Sequence, residues 1–288
     1  MPNGRSRLAR RVKLTDKHIV TRMMDIAAGL PDVIKLGRGD PDMDTPEHIV
    51  RAGQEALASG ATHYTHPMGL SELRQAIADD IVTHGGARYE PKDIVVTPGG
   101  QQAMFIIALG LLDPGDELLL PCPGYNPYLQ AAELTEATLV NIRTTRATNF
   151  TLTAELVREQ ITPRSKVLIL INPGNPTGTV IPPDEVARIC EVAREHDLIV
   201  VSDEIYARLT YGDHRAQPVS ALPGMQERTI TLSGLSKAYA MTGWRVGYFA
   251  GPSDLMPALG EIHHAFAIST AAVSQHAALA ALTGPQEC

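Results

Sequence analysis

The sequence predicts an α/β fold in three layers, α/β/α, with helices on both faces of a mostly parallel sheet. Three observations predict it. Short apolar runs recur through the middle of the chain, each run stops at Gly, Pro or a polar cluster, and helix-patterned segments lie between them. Apolar runs of this length read as strands buried on both faces, the habit of parallel strands covered by helices.

In order, Ile94-Val95-Val96 is the first run, ending near Pro98-Gly99-Gly100, and a helical segment follows to Leu112. Glu117 to Leu120 is the second, stopped by Pro121 and Pro123. Val167 to Ile171 is the third, broken by Asn172-Pro173-Gly174, and Leu198 to Val201 is the fourth, ending at Ser202-Asp203. Between the last two lies a well-marked helix. Pro182 and Pro183 mark its entry, Asp184 and Glu185 its first turn, and Arg194 and His196 its end, as the helix dipole favours. Val186, Ile189, Cys190 and Ala193 share one face, which makes Cys190 a core residue and not a nucleophile. Ile262 to Ala281, Ala-rich and without charge, reads as packed helix.

Composition narrows the function. The chain has 288 residues, 44% hydrophobic and 20% charged, which fits a globular protein and excludes a disordered one. Its net charge of −7 lacks the positive field of a nucleic-acid binder. Ile94 to Leu112 carries no charge, but Thr97-Pro98-Gly99-Gly100-Gln101-Gln102 would expose polar groups to lipid, so no membrane role is expected. Arg5, Arg7, Arg10 and Arg11 precede no apolar signal core and read as a solvated arm. Cys122, Cys190 and Cys288 are too few and too scattered for a disulfide framework, which points to a reduced, cytoplasmic setting. The pairs His63/His66 and His263/His264 have no evident third ligand, so no metal site is expected.

In α/β sheets, ligands bind beyond the carboxyl ends of the strands. Five clusters sit in such places. Pro98-Gly99-Gly100-Gln101-Gln102 offers close backbone approach and helix amides to an anion. Asn172 to Gly178 matches neither a dinucleotide fingerprint nor a P-loop, but an Asn amide there suits a ring oxygen. In Ser202-Asp203-Glu204-Ile205-Tyr206, the Asp203 carboxylate follows four apolar residues and needs a partner: a structural Arg, a capped helix or a cationic ligand atom. Lys237, in Ser233-Gly234-Leu235-Ser236-Lys237, sits among small and apolar residues and is a Schiff-base candidate. Arg245, in Thr242 to Tyr248, suits a phosphate dianion. Together the set is complementary to pyridoxal 5′-phosphate.

Asn-Pro-x-Asn-Pro-Thr-Gly (172–178), Ser-Asp-Glu-Ile-Tyr (202–206) and Ser-Lys-Ala-Tyr-Ala-Met-Thr-Gly-Trp-Arg-Val-Gly-Tyr (236–248) carry a resemblance. The chain resembles the class I aminotransferases of pyridoxal-phosphate fold type I, in the branch with bacterial aspartate aminotransferases, from about Leu36-Gly37-Arg38-Gly39-Asp40-Pro41-Asp42 onward. The resemblance implies a large pyridoxal-phosphate-binding domain over residues 46–288, with 1–45 as an N-terminal arm and small-domain segment. By the same resemblance, Lys237 forms the Schiff base and shuttles the proton. Asp203 pairs with the pyridine nitrogen, and Asn175 and Tyr206 hydrogen-bond the ring oxygen. Tyr125 stacks on the ring. Gly100, Gln101 and Arg245 hold the phosphate, with Ser236 compensating for Gly234, which stands where many relatives have a hydroxyl. Gly39 lies near the substrate carboxylate. Tyr64 reaches the phosphate of a neighbouring subunit, which implies a homodimer with shared active sites. Tyr239, Met241 and Tyr248 are expected to pack, as is Trp244, which would fix the loop that places Arg245.

The implied reaction is amino transfer between an amino acid and a 2-oxo acid. Two alternatives stand beside it: a β-elimination lyase of the same fold, and an inactive cofactor-binding fragment. The last arises because chains of this family continue into a smaller C-terminal domain, which carries an arginine for the substrate α-carboxylate. That domain is expected to be largely missing here, and no residue present takes the arginine's role.

Overall fold

The computed structural model describes residues 9, 11, 19–34 and 39–288. Leu36, Gly37 and Arg38 of the motif above, and Arg5, Arg7 and Arg10 of the basic arm, lie outside the described residues. Nine α-helices are described: α1 (Ile19–Ala28), α2 (Glu47–Ala58), α3 (Ser71–Thr83), α4 (Gly100–Leu111), α5 (Pro127–Thr135), α6 (Ala154–Gln160), α7 (Pro183–Glu195), α8 (Met256–Ala267) and α9 (Ala272–Thr283). The strands are β1 (Ile94–Thr97), β2 (Glu117–Cys122), β3 (Thr138–Arg143), β4 (Ser165–Ile171), β5 (Ile199–Asp203), β6 (Thr229–Gly234) and β7 (Gly247–Ala250).

The strands form one sheet in the order β1-β7-β6-β5-β4-β2-β3. Pairing is parallel from β6 through β5, β4 and β2 to β3, and β7 runs antiparallel to both β1 and β6. Alternation along the strands explains the three layers. Val167, Ile169 and Ile171 of β4 face a cluster built with α4, α5 and α8. Leu168 and Leu170 face the opposite cluster with α6 and α7. Toward β1, that second face is covered by α2, α3 and α9 through Ile49, Leu73, Ile77 and Ala277. Both faces are buried, so the strands read as unbroken apolar runs. The predicted fold class is the one observed.

Three expectations need correction. Pro121 does not stop β2, which runs on to Cys122. On the β4 side the ladder ends at Leu119, so Pro121 needs only its β3 neighbour there. Ile262 to Ala281 is not one helix, because α8 ends at Ala267 and α9 starts at Ala272. Side chains take the backbone between them: the Thr270 hydroxyl donates to the Val96 carbonyl at 2.9 Å, and Gln275 donates to the Thr270 carbonyl at 2.7 Å. Tyr239 does more than pack, since the Arg208 guanidinium lies over its ring and donates to its hydroxyl.

Other expectations hold. The α7 face buries Val186, Ile189, Cys190 and Ala193, and burial pushes the Cys190 thiol up to about 12. Met241 and Tyr248 are buried. Among the described residues, no helix is long and apolar enough to cross a membrane.

Candidate active site

The carboxyl ends of β4, β5 and β6, with the turn before β7, converge at one edge of the sheet. Asp203 ends β5, paired in register with Ile171 on β4 and Leu232 on β6. It is 6% exposed. Its Oδ2 accepts a hydrogen bond from the Tyr128 hydroxyl at 2.8 Å and its Oδ1 a longer one from the Ile205 amide at 3.3 Å. Neither donor is a cation. Burial pushes the carboxyl up to about 6, against the pull of those two bonds. Of the three partners considered for Asp203, the structural arginine is thus absent among the described residues.

The loop after β4 is tied in two ways. Asn172 is buried and its Oδ1 accepts from the Ile181 amide at 3.0 Å. Gly174 and Thr179 close the turn between them, and a Cβ on Gly174 would come within 2.8 Å of the Thr177 hydroxyl. The loop presents Asn175, whose Nδ2 donates to the Tyr206 hydroxyl at 3.3 Å. Burial, then the Asp203 charge, pushes the Tyr206 and Tyr125 phenols upward, and Tyr125 also feels Arg245. Tyr125 meets Tyr128 edge to face, with centroids 6.2 Å apart.

Helix α4 starts at Gly100 with Gly99 as its N-cap and no side chain capping it. Arg245, itself in the left-handed region at φ 54°, sets its guanidinium beside this helix start and donates to the Thr242 carbonyl at 3.0 Å. The β7 backbone abuts the same place, since a Cβ on Gly247 would come within 2.5 Å of the Gly100 nitrogen. Gly247 is in register with Gly234. A Cβ on Gly234 would lie 3.0 Å from the Gly247 Cα, so the missing hydroxyl at this position goes with the close packing of three glycines. Trp244 packs as expected. Its indole donates to the Thr45 hydroxyl at 3.1 Å and fills the space above Gly53.

The Lys237 amine donates to the Gly39 carbonyl. Two residues expected from separate motifs are thereby brought together. Ser236 is half-buried on the same turn. Tyr64 stands apart from this cluster, 79% exposed on the loop before α3.

Three residues of this region were missed by sequence reasoning. Tyr128 follows Tyr125 by one helical turn, and that spacing is the signal that could have found it. Arg208 donates to both Asp80 and Tyr239, and so ties the turn after β5 to the turn carrying Lys237. Glu204 accepts from the Ser202 hydroxyl at 2.7 Å, and burial pushes its carboxyl up to about 7.

A mostly parallel α/β sheet that gathers a buried carboxylate, a lysine and an arginine near its strand ends defines a class of protein: an α/β scaffold whose ligand site lies beyond the carboxyl ends of the strands. Comparison with known proteins gives the family. Residues 31–288 match the model of the family "Aminotransferase class I and II", and the chain belongs to that family. It is 39% identical over 280 residues to an aspartate/prephenate aminotransferase of Cereibacter sphaeroides, covering 96% of this chain and 70% of that protein. It is 42% identical over 258 residues to a bifunctional aspartate aminotransferase and glutamate/aspartate-prephenate aminotransferase of Petunia hybrida, covering 89% of this chain and 54% of the relative. The solved structure of the aspartate aminotransferase from Rhizobium meliloti superposes with a TM-score of 0.93 at 35% identity, covering 98% of this chain and 72% of that one. The fold is the large-domain fold of the fold type I pyridoxal-phosphate enzymes.

Proposed function

We propose that the protein is a pyridoxal-phosphate-dependent aminotransferase that moves an amino group between an amino acid and a 2-oxo acid. The observation that carries this is Asp203, a buried carboxylate whose described partners are both neutral, set beside Tyr125, Tyr206 and Asn175. A buried acid of this kind fits a cationic ligand atom. The residues present fit pyridoxal 5′-phosphate. Asp203 would face the ring nitrogen, and Asn175 and Tyr206 the ring oxygen. Tyr125 would lie against the ring. The Gly100 and Gln101 amides, Arg245 and Ser236 would hold the phosphate.

Bound there, the cofactor supplies an electron sink for the charge left at the substrate α-carbon. The chain's own residues do the rest. Lys237 would hold the cofactor through its amine and would move the proton at that carbon. Asp203 would keep the ring nitrogen protonated. Gly39 would lie by the substrate carboxylate. Tyr64, exposed on one chain, would complete the phosphate site of a second copy, in a homodimer with shared active sites. Residues 1–45 would form the arm and small-domain segment, 46–288 the large domain, and the enzyme would be cytoplasmic.

The names of the relatives favour aspartate as amino donor and favour transfer over elimination, and they lend no support to the inactive-fragment alternative. The test is spectroscopic. The protein loaded with pyridoxal 5′-phosphate should change its visible absorbance on addition of aspartate and regain it with a 2-oxo acid. Release of pyruvate, ammonia and a thiol from a cysteine conjugate, with the absorbance returning unaided by any 2-oxo acid, would favour the lyase.

A further inference from the structure

Tyr128 is a buried polar side chain at the site, on the face of α5 turned to the sheet and 1% exposed. A buried phenol needs an acceptor, and a backbone carbonyl would serve. Here the acceptor is the Asp203 carboxylate at 2.8 Å. Burial and the neighbouring charge hold the phenol well above its ordinary value, so it remains a donor throughout the working pH range.

We propose that Tyr128 is a positioning residue for Asp203: its hydroxyl fixes Oδ2 and favours the ionised carboxylate, leaving Oδ1 to receive the ring N–H of a bound pyridinium. This rests on the reading of Asp203 as the partner of a ring cation. The bond is charge-assisted, and so worth more than one between neutral groups. It also works in one direction, because a phenol that only donates favours the form that only accepts. The other titratable groups that feel this carboxylate's charge are Tyr125, just before α5, and Glu204 and Tyr206 on its own turn. Arg245 faces Tyr125, and Lys237 lies on the turn after β6.

The experiment measures binding of pyridoxamine 5′-phosphate to the cofactor-free protein between pH 5 and 8. Beside it runs an analogue with carbon in place of the ring nitrogen. Wild type should lose affinity for the nitrogen ligand as Asp203 takes up its proton, and should bind the carbon analogue without that dependence. In Tyr128→Phe the midpoint should move up by about one pH unit, with about tenfold weaker binding between the two midpoints, the effect of losing one hydrogen bond to a charged group. Replacing Tyr128 with 3,5-difluorotyrosine, which strengthens the donor and keeps the shape, should move the midpoint down. Unmoved midpoints in both variants overturn the proposal. So does an equal loss for the two ligands in Tyr128→Phe, which marks a structural role. If wild type fails to tell the two ligands apart, the reading of Asp203 fails, and the proposal with it.

Discussion

Arg245 occupies the space that a side chain on Gly99 would need: a Cβ there would lie 2.5 Å from the Arg245 Nη2. Gly99 has φ 82° and ψ 159°, a conformation essentially confined to glycine. The relationship sets the helix start of α4 and the guanidinium side by side. Gly99→Ala should therefore strain the backbone and displace Arg245 together. We expect at least tenfold weaker binding of pyridoxal 5′-phosphate, with a stability loss of about 1–3 kcal/mol. Isothermal titration and thermal melts measure the two separately.

Asp203 makes an unusual stability prediction. Its folded carboxyl is raised to about 6, above the unfolded value of about 4. The folded state thus binds more protons between these values, and its stability falls as pH rises through that window. Asp203→Asn should abolish this fall, so the cofactor-free variant should melt higher than wild type at pH 7.5 while binding the cofactor far more weakly. A pair of melting curves with and without cofactor checks both halves.

Glu204 extends the same sign to higher pH. Raised to about 7, it costs stability as pH climbs from about 4.5 to 7. Above pH 6 the loss is mainly Glu204's, since Asp203 is already half ionised there and Glu204 is still mostly protonated. Glu204→Gln, which keeps an acceptor for the Ser202 hydroxyl, should flatten the stability curve between pH 6 and 7.5. Urea unfolding at several pH values measures this.

Gln275 pins the loop bearing Tyr64. It is fully buried, accepts from the Leu70 amide at 2.7 Å, and donates to the Thr65 hydroxyl at 2.8 Å and the Thr270 carbonyl. Gln275→Ala strands those backbone groups, and roughly 3 kcal/mol of stability should be lost. Gln275→Glu, which keeps the acceptor alone, should lose a different amount, so the two variants separate the Leu70 bond from the others.

The layered fold was legible because β1, β2, β4 and β5 are buried on both faces and carry little but apolar residues. β3, β6 and β7 were not picked out as apolar runs. β3 is an edge strand with much of its length exposed, β6 interleaves Thr229, Thr231 and Ser233 with its apolar residues, and β7 has four residues. The α8–α9 break carries neither Gly nor Pro, and it depends on hydrogen bonds from Thr270 and Gln275 to partners distant in sequence or across the junction. At the candidate site, Asp203, Asn175, Lys237 and Arg245 were legible because each ends a strand, lies just beyond one or sits in the turn before one. Tyr128 and Arg208 were not, because a tyrosine on a helix face and an arginine past a strand read as packing and solvent. Their partners, Asp203, Asp80 and Tyr239, are supplied only by the fold.

The most direct measurement is chemical. The protein is incubated with pyridoxal 5′-phosphate, reduced with borohydride, digested and mapped by mass spectrometry. A pyridoxyl group on Lys237, lost in Lys237→Ala, is the result expected. A label on Lys92 or Lys166 instead, or no label at all, would contradict the assignment of this strand edge as the active site.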